Sequence, residues 1–499
     1  MDGKAMRVLM VSAEMAPFAK EGGLGDALLG LSRALARLGH DVRAVLPCYA
    51  AIDADLYDLR YRLSMDVPMG VLGRLPVEVL EEQVPGSGVT AYFVRYDPYY
   101  ARRGLYGHDG EGYTDNGRRF ILLSRAALEL SAALGLEPDV VHVHDWHAAA
   151  VPVFLDTLYR TGHGGRSPAS LLTIHNMLQQ GVFDKGLMEV LDVGWEHFHF
   201  RDLEFFDRVN LLKGGIAHAT LINTVSPTYA REIRSPEFAY GIEGVLAERA
   251  ADLSGILNGA DYDEWNPETD PLIASAFSAG DLRGKALCKG DLQRSLGLPV
   301  KAGVPLFGFV SRLVKQKGID LLAEAMESIL GLDVQVALLG SGEPWAHPYF
   351  GRMAQTHPAK LSCRFGFDNG LAHKIMAGAD FFVMPSRFEP CGLTQMYAMR
   401  YGTLPVVRAT GGLNDTVENF DEATLEGTGF RFYDATARAL SDTIGWAAHT
   451  FTNRPEAVRA LVKRAMAKRF TWEAAAERYE NLYVEAVIRG CEDRRRSAP

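Results

Sequence analysis

Short buried strands that each lead into a polar loop and then a helix constrain this chain most. In the first case, residues 7–11 form a strand that is apolar from Val8 onward, a glycine-rich loop follows, and leucines recur at helical spacing from Ala27 to Leu38. Continuous apolar runs of this length are typical of strands buried on both faces of a parallel sheet. The same order returns at residues 305–330. We therefore predict an α/β fold with two Rossmann-like, doubly wound domains that face a deep cleft.

The length of the chain supports two domains, since 499 residues exceed what one hydrophobic core usually holds. The turn-rich stretch ILNGADYDEWNP, which begins at Ile256, interrupts the strand and helix patterns. We place the domain boundary there. Residues 1–257 are predicted to form the N-terminal domain and residues 258–474 the C-terminal domain. The last helix, residues 475–499, is predicted to cross back to the N-terminal domain.

Composition excludes several classes of function. The formal net charge of −10 leaves no basic face of the kind that nucleic acid requires. The five cysteines are scattered and form no CxxC pair, which favours reduced thiols over disulfides or a zinc site. No apolar stretch is long enough to cross a membrane, and the N-terminus has no secretory pattern. We expect a cytoplasmic protein that binds neither nucleic acid nor membrane.

The stretch at residues 385–417 carries the strongest local signal for chemistry. Glu389 lies between chain-bending residues, and a helical pattern opens directly after it at Gly392. Free N–H groups at a helix N-terminus bind anions. Gly411-Gly412 predicts a second turn with open amides. This arrangement suits transfer from a nucleotide-activated donor, although a helix cap with a charged neighbour is the alternative.

Two further loops carry cations directly after a predicted strand. Arg312, Lys315 and Lys317 fall within six positions, and such crowding is costly unless the loop meets an anion. Lys20 precedes the glycines of the first loop, whose spacing differs from the dinucleotide fingerprint GxGxxG. A solvated turn and a tight strand-to-helix turn, respectively, are the alternatives.

Histidines and tyrosines mark other candidate positions in the first half. His144, His147 and His175 follow predicted strand ends, where open α/β sheets place their ligands. A core or capping role is the alternative for each of them. Residues 52–115 form a polar insertion whose tyrosines we expect to be exposed, either as a carbohydrate-stacking surface or as part of a plain surface loop.

From about Arg7 to Ala486 these features resemble the glycogen/starch synthase family, which consists of retaining glucosyltransferases with a GT-B fold. The motifs that carry the resemblance are Lys20-Glu-Gly-Gly-Leu-Gly-Asp26, His144-Asp-Trp-His147, Thr173-Ile-His-Asn176, Asn258-Gly259, Ser311-Arg-Leu-Val-Lys-Gln-Lys-Gly318 and Phe388-Glu-Pro-Cys-Gly-Leu-Thr-Gln395. The chain departs from the usual family pattern at Met177-Leu-Gln-Gln180, on the acceptor side.

The resemblance implies roles for individual residues. Arg312 and Lys317 would hold the donor's diphosphate, Glu389 would bond sugar hydroxyls beside the reacting carbon, and His175 would lie near the transferred glucose. These four are the predicted catalytic residues. The residues implied in substrate binding are Lys20, Gly22, Gly23, Asp26, Asn176, Asn258, Phe367, Cys391, Gly392, Leu393 and Thr394.

The form of the first motif resembles the bacterial and plant branch of the family, which uses ADP-glucose. The implied reaction transfers glucose to the non-reducing end of an α-1,4-glucan such as glycogen, with retention of configuration. We expect no cofactor and no metal requirement, because no metal-ligand spacing occurs in the sequence. The alternatives are a catalytically inert glucan-binding protein and another nucleotide-sugar transferase of similar build. The oligomeric state is left open.

Overall fold

A computed structural model describes residues 5–108, 110–159 and 167–497 of the chain. The chain divides into two units, Met1–Gly259 with Trp472–Pro499, and Ala260–Thr471. The boundary predicted from the sequence, after residue 257, lies two residues before the observed one. The predicted start of the last helix, residue 475, lies three residues after the observed return to the first unit at Trp472. None of the helices in the described part of the chain combines the length and apolar character needed to cross a membrane.

The first unit is built on a sheet of nine strands in the described residues. Its strands, in spatial order, are Leu253–Gly255, Leu221–Thr224, Ala169–Ile174, Val140–His144, Arg7–Val11, Asp41–Pro47, Thr90–Arg95, Arg74–Gln83 and Arg60–Pro68. Pairing is parallel from the first of these strands to Thr90–Arg95, and the last two strands pair antiparallel. Smaller antiparallel pieces are formed by Val182–Asp184, Arg208–Asn210 and Glu204–Phe205, and by Gly107–His108 and Glu111–Gly112.

Helices cover this sheet, as expected for parallel strands buried on both faces. The α-helices of the first unit are Gly23–Arg37, Asp97–Tyr100, Asn116–Ala133, Asp145–Ala148, Ala150–Thr157, Met188–Leu191, Leu211–His218, Pro227–Glu232, Pro236–Ala239, Glu243–Glu248 and Trp472–Ser497. Short 3-10 helices are Gly70–Leu72, Lys185–Leu187 and Trp195–His197. The first helix begins inside the glycine-rich loop, four residues before the predicted start at Ala27.

The interpretation of residues 52–115 as an insertion with exposed tyrosines is wrong. The segment supplies three strands of the main sheet, and Tyr100 is fully buried with its hydroxyl donating to the carbonyl of Arg119 at 2.6 Å. Tyr99 and Tyr106 are only partly exposed and pack on aromatic neighbours. The prediction failed because polar and apolar residues alternate in strands that are buried on one face. Judged by composition alone, without that period of two, such strands look like a polar loop.

The last helix, Trp472–Ser497, packs on the first unit through two buried tyrosines. Tyr483 hydrogen-bonds His142 Nδ1 at 2.8 Å, and Asn223 Nδ2 donates to the hydroxyl of Tyr479 at 2.7 Å. Both rings are at most 1% exposed. Burying one such side chain contributes about 1.5–3 kcal/mol, and its hydroxyl requires a partner. These contacts fix the helix to the sheet although it follows the second unit in sequence.

The second unit has a parallel sheet of six strands in the described residues. In spatial order they are Leu361–Phe365, Gln335–Gly340, Leu306–Val310, Phe381–Met384, Leu404–Arg408 and Phe430–Phe432. Its helices are Arg283–Ser295, Ile319–Gly331, Ala346–Thr356, Asn369–Gly378, Thr394–Arg400, Gly411–Thr416, Ala437–Asn453 and Pro455–Ala467, with a 3-10 turn at Lys315–Lys317.

Candidate active site

The sheet order of the second unit brings its basic loop against the loop that holds Glu389. Strand Leu306–Val310 pairs with strand Phe381–Met384, so the loops at their carboxyl ends are neighbours. Gly318 has φ +72°, and an added Cβ there would lie 2.0 Å from the carbonyl oxygen of Pro385. Only glycine allows this approach of two backbones. The amide of Arg387 donates to the carbonyl of Gln316 at 2.9 Å and joins the loops.

Lys317 and Glu389 form a direct ion pair at this junction. Lys317 Nζ donates to Glu389 Oε1 at 2.9 Å and to Oε2 at 2.7 Å, and Ser386 Oγ donates to Oε2 at 3.0 Å. Glu389 is 4% exposed, so its charge depends on these partners. The Lys317 side chain keeps one-fifth of its surface open. The pair therefore holds a fixed ammonium group at the rim of the loop, where a ligand can reach it.

The other two cations of this loop point to solvent. Arg312 and Lys315 are both exposed, and neither side chain makes a hydrogen bond within the described part of the chain. Arg312 is therefore available to an anion without breaking an existing contact. Phe367 is 94% exposed, whereas Phe365 stacks on His347 with ring centroids 4.5 Å apart. An aromatic ring left this open is a ready platform for a planar ligand.

The helix after Glu389 begins at Thr394, two residues later than the sequence indicates. Gly392 has φ +72° in the turn before it, and Cys391 is buried. The first amides of a helix have no partner within it, so Gly392, Leu393 and Thr394 remain candidates for contacts with phosphate. The predicted turn at Gly411-Gly412 is instead the start of helix Gly411–Thr416, and the Gly412 amide donates to the carbonyl of Glu389 at 3.0 Å. That amide is not open.

In the first unit, Glu14 organises the glycine-rich loop, a role that no motif in the sequence indicates. Its Oε2 accepts from the amides of Glu21 at 2.9 Å and Gly22 at 3.1 Å, and Tyr106 donates to Oε1 at 2.6 Å. A ligand that binds the Gly22 amide must therefore share it with a buried carboxylate. Gly23 is the first residue of the following helix.

Lys20, in the glycine-rich loop, forms an ion pair with Asp26, in the first turn of the helix that follows. Lys20 Nζ lies 2.7 Å from Asp26 Oδ2, and both side chains are more than one-third exposed. An ion pair with this much exposure contributes little to stability. Its groups can therefore exchange this contact for one with a substrate at small cost.

The histidines cluster at the carboxyl ends of neighbouring strands. His144 Nδ1 lies 3.1 Å from His175 Nε2, and His147 is buried beside Trp146 and Phe120. Burial lowers the pKa of His175 to about 4. The ring is therefore neutral at pH 7 and acts as a hydrogen-bonding group, not as a cation.

Asp145, which sequence reasoning did not single out, positions this cluster. It has φ +57°, and its Oδ1 accepts from the amides of His175 at 2.7 Å and Asn176 at 3.3 Å. Burial raises the pKa of Asp145 to about 7, against the lowering effect of those two amides. The signal that the sequence offers is only an aspartate directly after a predicted strand, since its positive φ and its amide partners appear in the structure alone.

A cavity of about 410 Å³ opens beside Trp146, whose ring packs on His147, and is lined partly by the segment that departs from the family pattern. Leu178, Gln179 and Gln180 contribute to its wall, together with Trp146 and Phe205. At Gly181, φ is +65° and an added Cβ would lie 2.4 Å from the Trp146 ring. The cavity combines aromatic faces with amide groups, as carbohydrate sites do.

The structure thus groups the predicted residues by unit. Arg312, Lys317, Glu389 and the turn at Gly392 belong to adjoining loops of the second unit. In the first unit, Asn176 follows His175, and Asn258 is buried after the strand Leu253–Gly255.

The comparisons with known proteins agree with this arrangement. Residues 7–248 match the family described as Starch synthase catalytic domain, and residues 297–478 match Glycosyl transferases group 1. The chain is 56% identical over 485 residues to Glycogen synthase 1 of Geobacter metallireducens, covering 97% of each chain. It is 57% identical over 483 residues to Glycogen synthase 1 of Geobacter sulfurreducens, covering 97% of this chain and 96% of that relative.

Solved structures show the same fold. The catalytic domain of Starch Synthase IV from Arabidopsis thaliana, bound to ADP and acarbose, superposes with a TM-score of 0.87 and 36% identity, over 97% of this chain and all of that chain. A sucrose-phosphate synthase from Thermosynechococcus elongatus, at 18% identity and a TM-score of 0.60, shares the fold.

The fold and its strand-end loops define a glycosyltransferase of the GT-B class. More narrowly, the chain belongs to the glycogen/starch synthase family. This confirms the family, the two-domain α/β fold and the glucosyltransferase function predicted from the motifs. The substrates are accordingly a nucleotide-activated glucose and a glucan acceptor.

Proposed function

We propose that the chain transfers glucose from ADP-glucose to the non-reducing end of an α-1,4-glucan, with retention of configuration, in the bacterial cytoplasm. The observation that carries this proposal is the ion pair of Lys317 with the buried Glu389, beside the free guanidinium of Arg312. It supplies fixed positive charge and a sugar-binding carboxylate on adjoining loops of one unit. That is the pair of functions a nucleotide-sugar donor requires.

The charges that develop as the donor is cleaved determine what each side chain of the second unit does in the reaction. Cleaving the glucose–phosphate bond builds positive charge on the sugar ring and negative charge on the departing ADP. Arg312 and Lys317 stabilise that negative charge, each by about 3 kcal/mol of barrier as pre-placed donors typically do. Glu389 binds sugar hydroxyls and at the same time orients Lys317. The exposed ring of Phe367 stacks on the adenine.

In the first unit, neutral His175 offers a ring nitrogen to the transferred glucose, and Asn176 adds its amide. Asp145 holds the backbone of both residues. Lys20 and Asp26 exchange their mutual contact for contacts with the donor's phosphate and sugar, and Asn258 completes the polar set. The sugar itself needs no nucleophilic side chain if the leaving phosphate takes the acceptor's proton on the same face.

The acceptor glucan binds in the cavity beside Trp146. Sugar rings present apolar faces and hydroxyl edges, which match the aromatic and amide groups of the wall. Gln180 is already fixed, because its Nε2 donates to the carbonyl of Ala239 at 3.1 Å and its Oε1 accepts from Asn210 at 2.6 Å. Leu178 and Gln179 therefore provide the adaptable part of this surface.

The reaction is proposed to need neither a cofactor nor a metal. Arg312 and Lys317 are two cationic donors that can stabilise the departing diphosphate directly, which is the part that a divalent cation has in other enzymes. With EDTA and no added divalent cation, kcat should therefore stay within about twofold of its value with Mg²⁺. Losing one group that stabilises the developing charge would lower kcat far more, by roughly 10²–10³-fold. A loss of activity in EDTA that Mg²⁺ restores would contradict this.

An acceptor panel tests the proposed reaction against its alternatives. With ADP-glucose as donor, ADP release should depend on glycogen or maltooligosaccharides and should not occur with fructose. Release with fructose would indicate a sucrose-type transferase. Binding of glycogen without release of ADP would indicate an inert glucan-binding protein.

A further inference from the structure

A compact group of histidine and aspartate side chains in the first unit takes no part in the reaction proposed above. His197 ends the 3-10 turn Trp195–His197, Asp202 lies in the loop after it, and His218 ends helix Leu211–His218. Their candidate ligand atoms all lie within 4.8 Å of one another. From this geometry we propose that His197, Asp202 and His218 bind a divalent transition-metal ion of the zinc class.

The distances suit such a site. Asp202 Oδ2 lies 2.7 Å from His197 Nδ1 and 3.0 Å from His218 Nε2. Ligand atoms around a tetrahedral zinc with bonds of about 2.0–2.1 Å are about 3.3 Å apart, so small movements accommodate the ion. Three protein ligands leave a fourth position for water, which can enter because the His197 side chain is 24% exposed.

A second observation comes from the far side of His218. Its Nδ1 lies 2.8 Å from Asp156 Oδ2, which leaves Nε2 to face Asp202 and His197. A carboxylate on the outer nitrogen is the usual partner of a metal-binding histidine, because it fixes the ring and its tautomer. Asp156 comes from helix Ala150–Thr157, so the site rests on regular structure.

A third observation concerns the other oxygen of Asp202. The residue is 5% exposed, and its Oδ1 is buried with no hydrogen-bond partner in the described part of the chain. An unsatisfied buried carboxylate oxygen is costly, and a metal ion bound to Asp202 offsets that cost. A metal on two imidazoles and one carboxylate follows the ligand preferences of zinc.

Protons and a neighbouring cation compete with the metal. Burial disfavours the charged ring, but hydrogen bonds to Asp156 and Asp202 outweigh it and raise the pKa of His218 to about 9. Lys213 interacts electrostatically with Asp202, while its ammonium group is held by the carbonyls of Phe200 and Glu204. A cluster held together by a proton alone is therefore the competing explanation.

The ligands come from three separate elements, which is why no metal-ligand spacing is visible in the sequence. A bound ion would connect the loop at residues 195–202 to helix Leu211–His218. That loop carries Trp195 and Phe200, which are 52% and 71% exposed. The expected consequence is a higher melting temperature, not a faster reaction.

The test uses the full chain, stripped with a chelator, dialysed and titrated with ZnCl₂ by calorimetry. One Zn²⁺ should bind per chain, and His197→Ala should weaken binding by at least about 100-fold, as expected for a lost ligand. Asp156→Asn should weaken it by about 10–100-fold without changing the stoichiometry, since it removes only the outer partner. The matched control is His449→Ala, an exposed histidine of the second unit, which should bind as the parent does.

CoCl₂ supplies a second, spectroscopic readout of the ligand set, used once circular dichroism has shown that the variants are folded. The parent should develop the visible absorption of tetrahedral Co²⁺, which excess Zn²⁺ removes, and the His197→Ala variant should not. The absence of stoichiometric binding would overturn the proposal. So would unchanged Zn²⁺ affinity in His197→Ala, because the ion would then lie elsewhere and the cluster would be held by a proton alone.

Discussion

Replacing Lys317 by alanine tests how the ion pair acts. The change removes two hydrogen bonds to Glu389, at 2.9 and 2.7 Å, and the one ammonium group that the pair holds in place. A pre-placed donor to developing charge is worth about 3 kcal/mol, so kcat should fall by roughly 10²–10³-fold. The donor KM should rise less, because the leaving oxygen gains its charge only in the transition state.

The assay is steady-state release of ADP from ADP-glucose with glycogen present. Arg312→Ala should show a similar loss. Lys315→Ala is the matched control from the same loop, and it should stay within several-fold of the parent, because Lys315 is exposed and has no assigned role. Circular dichroism must first show that the variants are folded, since an unpaired buried carboxylate costs about 3–5 kcal/mol.

A double variant separates two explanations that the ion pair leaves open. Lys317 either stabilises the departing diphosphate or serves only as the counter-ion of Glu389. In a Glu389→Gln background the counter-ion is no longer needed, so a purely structural Lys317 could be replaced by alanine without further loss. We expect a further fall in kcat of at least about tenfold. Equal activity of the Glu389→Gln variant and the double variant would refute the transition-state role, as would a Lys315→Ala loss as large as that of Lys317→Ala.

Three further predictions concern the fold and the donor site. Gly318→Ala should lower the free energy of unfolding by at least about 2 kcal/mol, because it strains a residue at positive φ and brings its Cβ against a backbone carbonyl. The control is Gly331→Ala at the other end of the same helix, where a Cβ meets open space and the free energy of unfolding should not fall. Equal denaturation midpoints for the two variants would contradict this. Phe367→Ala should raise the donor KM by about tenfold with an unchanged melting temperature, since base stacking is worth about 1–3 kcal/mol and the ring is almost fully exposed; an unchanged KM would remove it from the site. Burial lowers the pKa values of His142 and His175 to about 3 and about 4. The unfolded rings take up a proton below about pH 6.5 and the folded rings only below their lowered pKa values, so the free energy of unfolding is highest above pH 6.5 and falls between pH 6.5 and those values. At pH 5 each histidine should lower the free energy of unfolding by about 2 kcal/mol relative to pH 7, and a melting temperature that does not fall between pH 7 and 5 would oppose this.

Much of the framework could be predicted because it depends on local pattern. Short apolar runs followed by a helical pattern predict the strand-to-helix units, and motifs around Arg312 and Glu389 identify the family. Which loops become neighbours depends on strand order, which no local pattern contains. The contact of Lys317 with Glu389 therefore emerged only from the pairing of their preceding strands.

Buried polar residues were the hardest to predict. Glu14 and Asp145 each accept backbone amides of a neighbouring loop, and such a role depends on where that loop passes. Tyr100 illustrates the opposite error, because a tyrosine in polar sequence is expected at the surface but here caps a buried carbonyl. In each case, tertiary context decided what residue type alone could not.

The most direct test of the account compares donors. Purified chain is supplied with glycogen and either ADP-glucose or UDP-glucose at equal, sub-saturating concentration, and both nucleotide release and incorporation of labelled glucose are measured. The account predicts that glucose enters glycogen in step with ADP release, and that kcat/KM is higher with ADP-glucose. Higher kcat/KM with UDP-glucose, or nucleotide release without glucose incorporation, would contradict it.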